Sequence, residues 1–296
     1  MRNSAILCQL VFFLVIITVS CSQNPGESSP VRQNDDSGEV YSEIKEFRPI
    51  FYDMYSPVEA RRLFYHLDMV FDISILNPVY NIQRYNSSGK IAVNLGIYGA
   101  NMSFCHMFGQ TQEAINYLSA ISRLAHSIGI SDRFISNAAM AHERMVYHPD
   151  SLFDLATNIY LSADRQLIEL DRAGAASLIL AGGWIEALYI VGSFYDAEKP
   201  DIVLEEQILS QKYSLDRLIT LLSNHQNDEL ISKYLLLVKQ LKHVYDRVEI
   251  LFEPDDLTID HSDRTLIAQR PVFNYTQNDL DEIVRLVALI RSDMVN

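Results

Sequence analysis

The chain of 296 residues has little cysteine, one tryptophan and a shortage of positive charge. Its three cysteines are Cys8, Cys21 and Cys105. Removal of an N-terminal export signal would take Cys8 away and leave only Cys21 and Cys105, which is not the disulfide framework of a small secreted domain. Cys105 lies in an apolar segment and is interpreted as a small buried residue rather than a nucleophile or a metal ligand. The fold must then depend on its hydrophobic core, and a hydrophobic fraction of 48% suffices for one.

Basic residues are outnumbered, because 24 Lys and Arg face 38 Asp and Glu, for a net charge of −14. Loss of Arg2 with the signal would change the net charge from −14 to −15. A chain this acidic is repelled by DNA phosphates and by anionic lipid headgroups. We therefore predict no nucleic acid partner. An acidic face that docks a basic protein is the alternative that the charge leaves open.

Sequence motifs of common catalytic and metal sites are also missing. The chain has no phosphate-binding glycine loop, no serine nucleophile elbow and no paired CxxC motif. His142-Glu143 begins like a zinc protease helix, but the second histidine would have to stand where the chain has Val146. The acidic run from Glu253 to Asp263 lacks the alternating ligands and the glycine of a calcium-binding loop. We therefore predict no metal, no cofactor and no motif-based catalytic residue.

The first 20 residues contain an apolar run that is too short to span a membrane with ease. Arg2 precedes an apolar stretch from Ala5 to Val19, which is interrupted by Gln9. A spanning helix needs about 20 apolar residues, whereas a positive start, a short apolar run and small residues before a cleavage point are typical of an export signal. We predict that residues 1–20 are a signal that is removed. An uncleaved anchor helix and plain secretion are the alternatives.

Cys21 follows Thr18, Val19 and Ser20, and this arrangement resembles the bacterial lipoprotein signal, including its looser versions in Bacteroidota. The resemblance implies that Cys21 carries diacylglycerol and becomes the mature N-terminus. With Cys8 removed and Cys21 acylated, the mature chain could form no internal disulfide. Several acyl chains hold a protein stably on a membrane. Ser22 stands where an Asp would favour inner-membrane retention, so the resemblance implies an outer membrane lipoprotein that is periplasm-facing or surface-exposed.

The rest of the chain divides into a tether and one domain. Residues 21–45 are rich in Pro, Gly, Ser and Asp and are predicted to be a flexible tether. Residues 46–296 are predicted to be a single all-α domain, in which antiparallel helical hairpins stack as a bundle or as a short solenoid like that of tetratricopeptide repeats. The irregular stretch 253–276 has a possible short extended piece at Thr265 to Ala268. The predicted helices cover 57–76, 90–109, 111–128, 131–147, 150–174, 175–195, 201–224, 228–252 and 277–294.

Two of these helices are apolar on all sides. The segment 91–110 contains no Lys, Arg, Asp or Glu, and the segment 175–195 contains one charge, Glu186. A helix of this kind must be buried on all sides, so we predict that the two form the centre of the domain. Glycine inside a helix costs about 1 kcal/mol relative to alanine, and the glycines at 96, 99, 182 and 183 therefore predict close backbone approach of the two helices.

The stretches Asn94–Asn101, Gln110–Glu113 and Ala181–Ala187 resemble an uncharacterised group of all-helical lipoproteins from Bacteroidota. This resemblance covers about a third of the chain. It implies a helical fold and a lipid anchor, and it implies no activity and no ligand.

Glu186 is the candidate functional group, because a carboxylate on an apolar helix must be paired, hydrogen-bonded or protonated. If the central helices pack together, Tyr98, Asn101 and His106 are its expected partners, with Trp184 nearby. These five residues could form a ligand pocket, or Glu186 and His106 could serve an enzyme as acid and base. A structural polar network that fixes the register of the helices is the other interpretation. The sequence thus predicts a lipid-anchored cell-envelope protein with a binding or structural domain, and an enzyme is the alternative.

Overall fold

The computed structural model describes residues 70–130, 167, 172–251, 257–260, 265–268 and 271–296. This part of the chain is mostly helical and packs as a bundle, which confirms the predicted all-α class. The predicted signal, the tether, Cys21 and the predicted helix over 131–147 lie outside the described residues, as does nearly all of the predicted helix over 150–174. The α-helices are α1 (Ser88–Met107), α2 (Thr111–Ser127), α3 (Ala173–Gly192), α4 (Ile202–Leu209), α5 (Lys212–Ser223), α6 (Glu229–Tyr245) and α7 (Gln277–Val295).

Helices α1 and α2 form a hairpin whose ends are set by local sequence. The Ser87 hydroxyl caps α1 by accepting a hydrogen bond from the Lys90 backbone N–H. Gly109 has a φ of 67° in the turn to α2, and Gly129 has a φ of 81° just after α2. A left-handed residue after a helix is a common end signal, and α2 ends one residue before the end predicted from the sequence, residue 128.

Helices α1 and α3 lie against each other at the centre of the bundle, as their apolar sequences predicted. A Cβ atom added to Gly96 would lie 1.9 Å from the carbonyl oxygen of Ile179, and one added to Gly182 would lie 1.9 Å from that of Val93. Only glycine permits this separation. Near the start of both helices, Gly89 lies near Leu178. Near their ends, the rings of Phe104 and Phe194 are 6.2 Å apart. The two central helices therefore run parallel.

Other helices pack around this pair, and α7 runs antiparallel to both α3 and α6. Helix α7 runs against α3, because Glu186 binds Arg291 whereas Gly192, later in α3, faces the earlier residue Val284. Helix α7 also runs against α6, through ion pairs of Lys233 with Asp293 and of Arg247 with Asp279. Helix α5 is joined to α6 by the ion pair of Lys242 with Asp216.

Three predicted helix boundaries were wrong. The segment 201–224 is divided at Ser210-Gln211 into α4 and α5, and the Gln211 side chain there receives a hydrogen bond from Ser214 at 2.9 Å. The helix predicted to reach residue 252 ends at Tyr245, because the chain turns into strand β1 (Glu249–Leu251). The end of the segment 57–76 is not α-helical either, since the chain from residue 70 leads into a 3₁₀ turn at Ile73–Ile75.

Short strands also occur in the stretch 253–276 that was predicted to be irregular, and one of them pairs with β1. Strand β1 pairs antiparallel with β4 (Val272–Asn274), and β2 (Leu257–Asp260) pairs antiparallel with β3 (Thr265–Ala268). The predicted extended piece at Thr265–Ala268 is confirmed as β3. These strands have three or four residues, which is too short for the alternation of polar and apolar residues to stand out in a sequence.

Candidate functional site

Glu186 is a fully buried carboxylate in the middle of α3. Its partner is Arg291 on α7, whose Nε donates to Oε2 at 2.9 Å and whose Nη2 donates to Oε1 at 3.2 Å. The Arg291 side chain is 14% exposed, and its guanidinium lies 4.6 Å from the centre of the Tyr189 ring. A two-point contact of this kind fixes the relative orientation of the two groups, and the Tyr189 ring adds a cation–π contact.

Asn101 on α1 is the second partner of Glu186. With its amide oriented by its neighbours, the Asn101 nitrogen donates to Glu186 Oε1 at 2.7 Å, and its oxygen accepts from the backbone N–H of Asn77 at 3.1 Å. Both central helices and α7 therefore meet at one carboxylate. Asn101 in turn links this carboxylate to the chain segment that precedes α1.

The protonation of the pair is governed by burial and by mutual attraction. Burial raises the pKa of Glu186, and the hydrogen bonds from Arg291 and Asn101 oppose that rise. Burial alone would lower the pKa of Arg291, but the hydrogen bond and charge of Glu186 outweigh it and raise that pKa above its ordinary value. Arg291 therefore remains a cation, and the guanidinium favours the ionised form of Glu186.

The segment held by this network is the connector, which we define as residues 73–85. It contains the 3₁₀ turns Ile73–Ile75 and Val79–Arg84. Its backbone carbonyls enter the core and accept hydrogen bonds from side chains: Ile75 from Arg291 at 3.4 Å, Asn77 from Tyr117 at 3.0 Å and Pro78 from Tyr98 at 3.0 Å. Buried backbone groups outside regular structure need partners of this kind, and three helices supply them.

Asn77 is the centre of the connector and is fully buried. Its side-chain nitrogen donates to the Tyr85 hydroxyl at 2.9 Å and to Asn94 Oδ1 at 3.2 Å, and its oxygen accepts from Asn81 at 2.9 Å. Asn94 also donates to the carbonyl of Met294 at 3.0 Å, in the last turn of α7. The network thus joins the connector, α1 and the C-terminal helix through uncharged amides and hydroxyls.

The five residues predicted to form a ligand pocket have separate positions. Asn101 meets Glu186, whereas Tyr98 is fully buried and its hydroxyl donates to the connector. Trp184 directs its indole N–H to Ser214 on α5, at 2.9 Å. His106 lies in the last turn of α1, about one and a half turns beyond Asn101. Their role in ligand binding stays a prediction, and the contacts around Glu186 favour the structural interpretation.

Arg291 and Asn77 are among the members of this network that were not predicted from the sequence. Arg291 does carry a signal, because it lies four residues after Val287 and three before Met294, both buried in the core. A cation inside the apolar stripe of an amphipathic helix must find a buried partner. Asn77 directly follows the helix predicted over 57–76, and neither it nor its neighbour Pro78 gives a sequence signal that the chain enters the core there.

The outer side of the connector forms one wall of an open groove of about 760 Å³, and α2 forms the other. Tyr117 lines the groove while its hydroxyl holds Asn77. Polar and charged residues of α2 follow the groove from Glu113 through Asn116 to Arg123. Ligand sites in proteins fall between about 300 and 1,000 Å³, so the groove has a suitable size. Glu186 is not among the residues that line it.

Other features of the described residues point to packing. No group of three or more His, Cys, Asp or Glu residues in this part of the chain is arranged to hold a metal ion. Cys105 is buried, and burial raises the pKa of its thiol to about 12. Among the described helices, Ala173–Gly192 alone is long and apolar enough to cross a membrane. In its most apolar window 78% is buried within the protein, as in the core helix of a bundle.

Comparison with known proteins adds no identification, since no family, no curated protein and no solved structure matches the chain. The resemblance to helical lipoproteins of Bacteroidota therefore stays a prediction. The function has to be argued from the geometry of the network and the groove.

Proposed function

We propose that this chain is a lipid-anchored protein of the cell envelope whose helical domain binds a ligand in the groove between the connector and α2. The proposed anchor is Cys21, followed by a tether over residues 22–45. The location that the sequence favours is the outer membrane. Support for the anchor comes from the small and apolar residues that precede Cys21 and from the polar composition that follows it.

The open groove beside a closed centre is the observation on which the binding role depends. Glu186 is enclosed and has Arg291 and Asn101 as partners, which disfavours the enzyme alternative that used it as an acid or base. The same network fixes the connector, and the connector supplies a wall of the groove. Burial of an ion pair is a weak source of stability but a common way to fix one arrangement of helices. The network then positions the wall of the site.

Mass spectrometry of the protein purified from membranes tests the anchor. We expect a mature chain that begins at an acylated Cys21, and we expect Cys21→Ser to move the protein out of the membrane fraction. Cys105→Ser is the matched control and should leave the protein in the membrane fraction, because Cys105 is buried in the domain. A chain that begins at Met1, or an unmodified thiol at Cys21, would contradict the proposed anchor.

A further inference from the structure

We infer that the groove accepts a short extended peptide with free ends, whose amino group lies at Glu113 and whose carboxylate lies at Arg123. The inference rests on the proposed binding function of this groove and names its class of ligand. It is carried by the charges at the two ends of the groove, by its length and by the mixture of side chains between those charges.

The two charged residues lie on one stripe of α2. Glu113, Asn116 and Arg123 all line the groove, and their spacing of three and seven residues places them on the same side of the helix. Glu113 is in the first turn of α2 and is half-buried, and Asn116 donates to its Oε2 at 3.3 Å. Arg123 is exposed, near the other end of the helix. The groove therefore has an acidic end and a basic end.

The distance between these ends sets the length of the ligand. Ten residues separate Glu113 from Arg123, and a rise of 1.5 Å per residue makes their separation along α2 about 15 Å. An extended chain covers about 3.3–3.6 Å per residue, so roughly four or five residues reach from one end to the other. A peptide of this length can place its ammonium group at the carboxylate and its carboxylate at the guanidinium.

Between the charges, the groove offers what a peptide backbone and its side chains require. Asn116 and Ser119 on α2 and Gln83 on the connector supply hydrogen-bonding groups. Ile73 and Tyr80 supply apolar surface, and they are 46% and 72% exposed. Large apolar side chains that remain exposed along a groove with polar groups are typical of a recognition surface. A ligand that is only apolar would place no charge opposite Glu113 or Arg123.

Isothermal titration calorimetry with tetra-alanine, in its free and end-blocked forms, tests the inference on the full chain. We expect the free peptide to bind, and we expect N-acetylation and C-amidation each to weaken binding by about three- to tenfold, because each removes one charge-assisted contact. Glu113→Gln should weaken binding of the free peptide by a similar factor and should make binding insensitive to N-acetylation. Arg123→Gln should make binding insensitive to C-amidation in the same way.

Glu198→Gln and Lys199→Gln are the matched controls, since both residues are exposed in the turn after α3 and neither lines the groove. They should leave every affinity unchanged. Equal binding of free and fully blocked peptides would overturn the inference and would indicate an apolar occupant. No binding of tetra-alanine at millimolar concentration would overturn it too. A loss of stability without a change in affinity in the Glu113 and Arg123 variants would overturn it as well, since these charges would then serve only the stability of the fold.

This outcome is separable from that of the proposed anchor. The end-group dependence is measured by calorimetry on the full chain, whereas the anchor is read from the mass of the mature N-terminus. An unmodified Cys21 combined with end-dependent peptide binding would reject the membrane location and support the site. An acylated Cys21 combined with equal binding of free and blocked peptides would support the membrane location and reject the site.

Discussion

Glu186→Gln provides the sharpest test of the central network. The substitution keeps the shape of the side chain but removes the charge that Arg291 faces at 2.9 and 3.2 Å. Breaking a buried ion pair on one side typically costs 3–5 kcal/mol, because the other charge stays buried without compensation. Arg291 is 14% exposed and Glu186 is not exposed at all, so we expect a loss near the lower limit, about 3 kcal/mol.

Urea unfolding followed by circular dichroism at 222 nm measures this loss. For a domain of this size, a loss of 3 kcal/mol corresponds to a fall in Tm of roughly 6–12 °C. Lys242→Met is the matched control, since Lys242 pairs with Asp216 and Asp246 at the surface. Surface pairs contribute about 0–1 kcal/mol, so the control should lose no more than that.

The double variant decides whether the two side chains act as a pair. Arg291→Met alone leaves the Glu186 carboxylate buried with Asn101, and its cost should equal or exceed that of Glu186→Gln. In the double variant no charge is left without its partner, so the total loss should be at least about 2 kcal/mol smaller than the sum of the two single losses. Strictly additive losses in the free energy of unfolding would refute our account of the network. So would a Glu186→Gln variant whose free energy of unfolding lies within about 1 kcal/mol of that of the original protein.

Two further predictions concern the central helices. Gly96→Ala and Gly182→Ala should each prevent folding or cost more than about 4 kcal/mol in thermal unfolding, because the added Cβ would lie 1.9 Å from a backbone oxygen; Gly192→Ala, whose Cβ would lie 3.5 Å from Val284, should be tolerated, and equal stability of all three variants would contradict the close approach. Cys105 should resist iodoacetamide at pH 8 in the folded protein, because a pKa of about 12 leaves about one thiol in ten thousand ionised, and mapping of alkylated peptides should show it reacting only in denaturant.

The centre of this fold could be predicted from sequence, because its signal is an absence of charge over whole helices. Segments without charge around the full circumference have one stable place, inside the domain. The glycines at 96 and 182 further indicated where along the two helices their backbones come close together. Asn101 could be named as a partner of Glu186 because both lie on these helices and a buried carboxylate needs a donor.

The connector and the groove could not be predicted, because their signals are not periodic. Residues 73–85 contain two short 3₁₀ turns. Tertiary contacts bury Asn77 and Asn81, and no local pattern distinguishes these polar side chains from solvent-exposed ones. The division of residues 201–224 into two helices is likewise a tertiary effect, since no proline or glycine marks Ser210-Gln211. Strands of three or four residues are stabilised by pairing with distant segments, and a local pattern does not record that pairing.

The connector also explains how a buried ion pair can fix one wall of the proposed binding groove. Its carbonyls at Ile75, Asn77 and Pro78 are held by side chains from α7, α2 and α1, so the groove wall is fixed by the same contacts that order the core. A wall that is ordered before the ligand arrives does not have to lose conformational freedom on binding, and this preorganisation favours affinity. Replacing the network by apolar side chains could preserve stability, but it would leave the connector carbonyls without donors and the wall without a defined position.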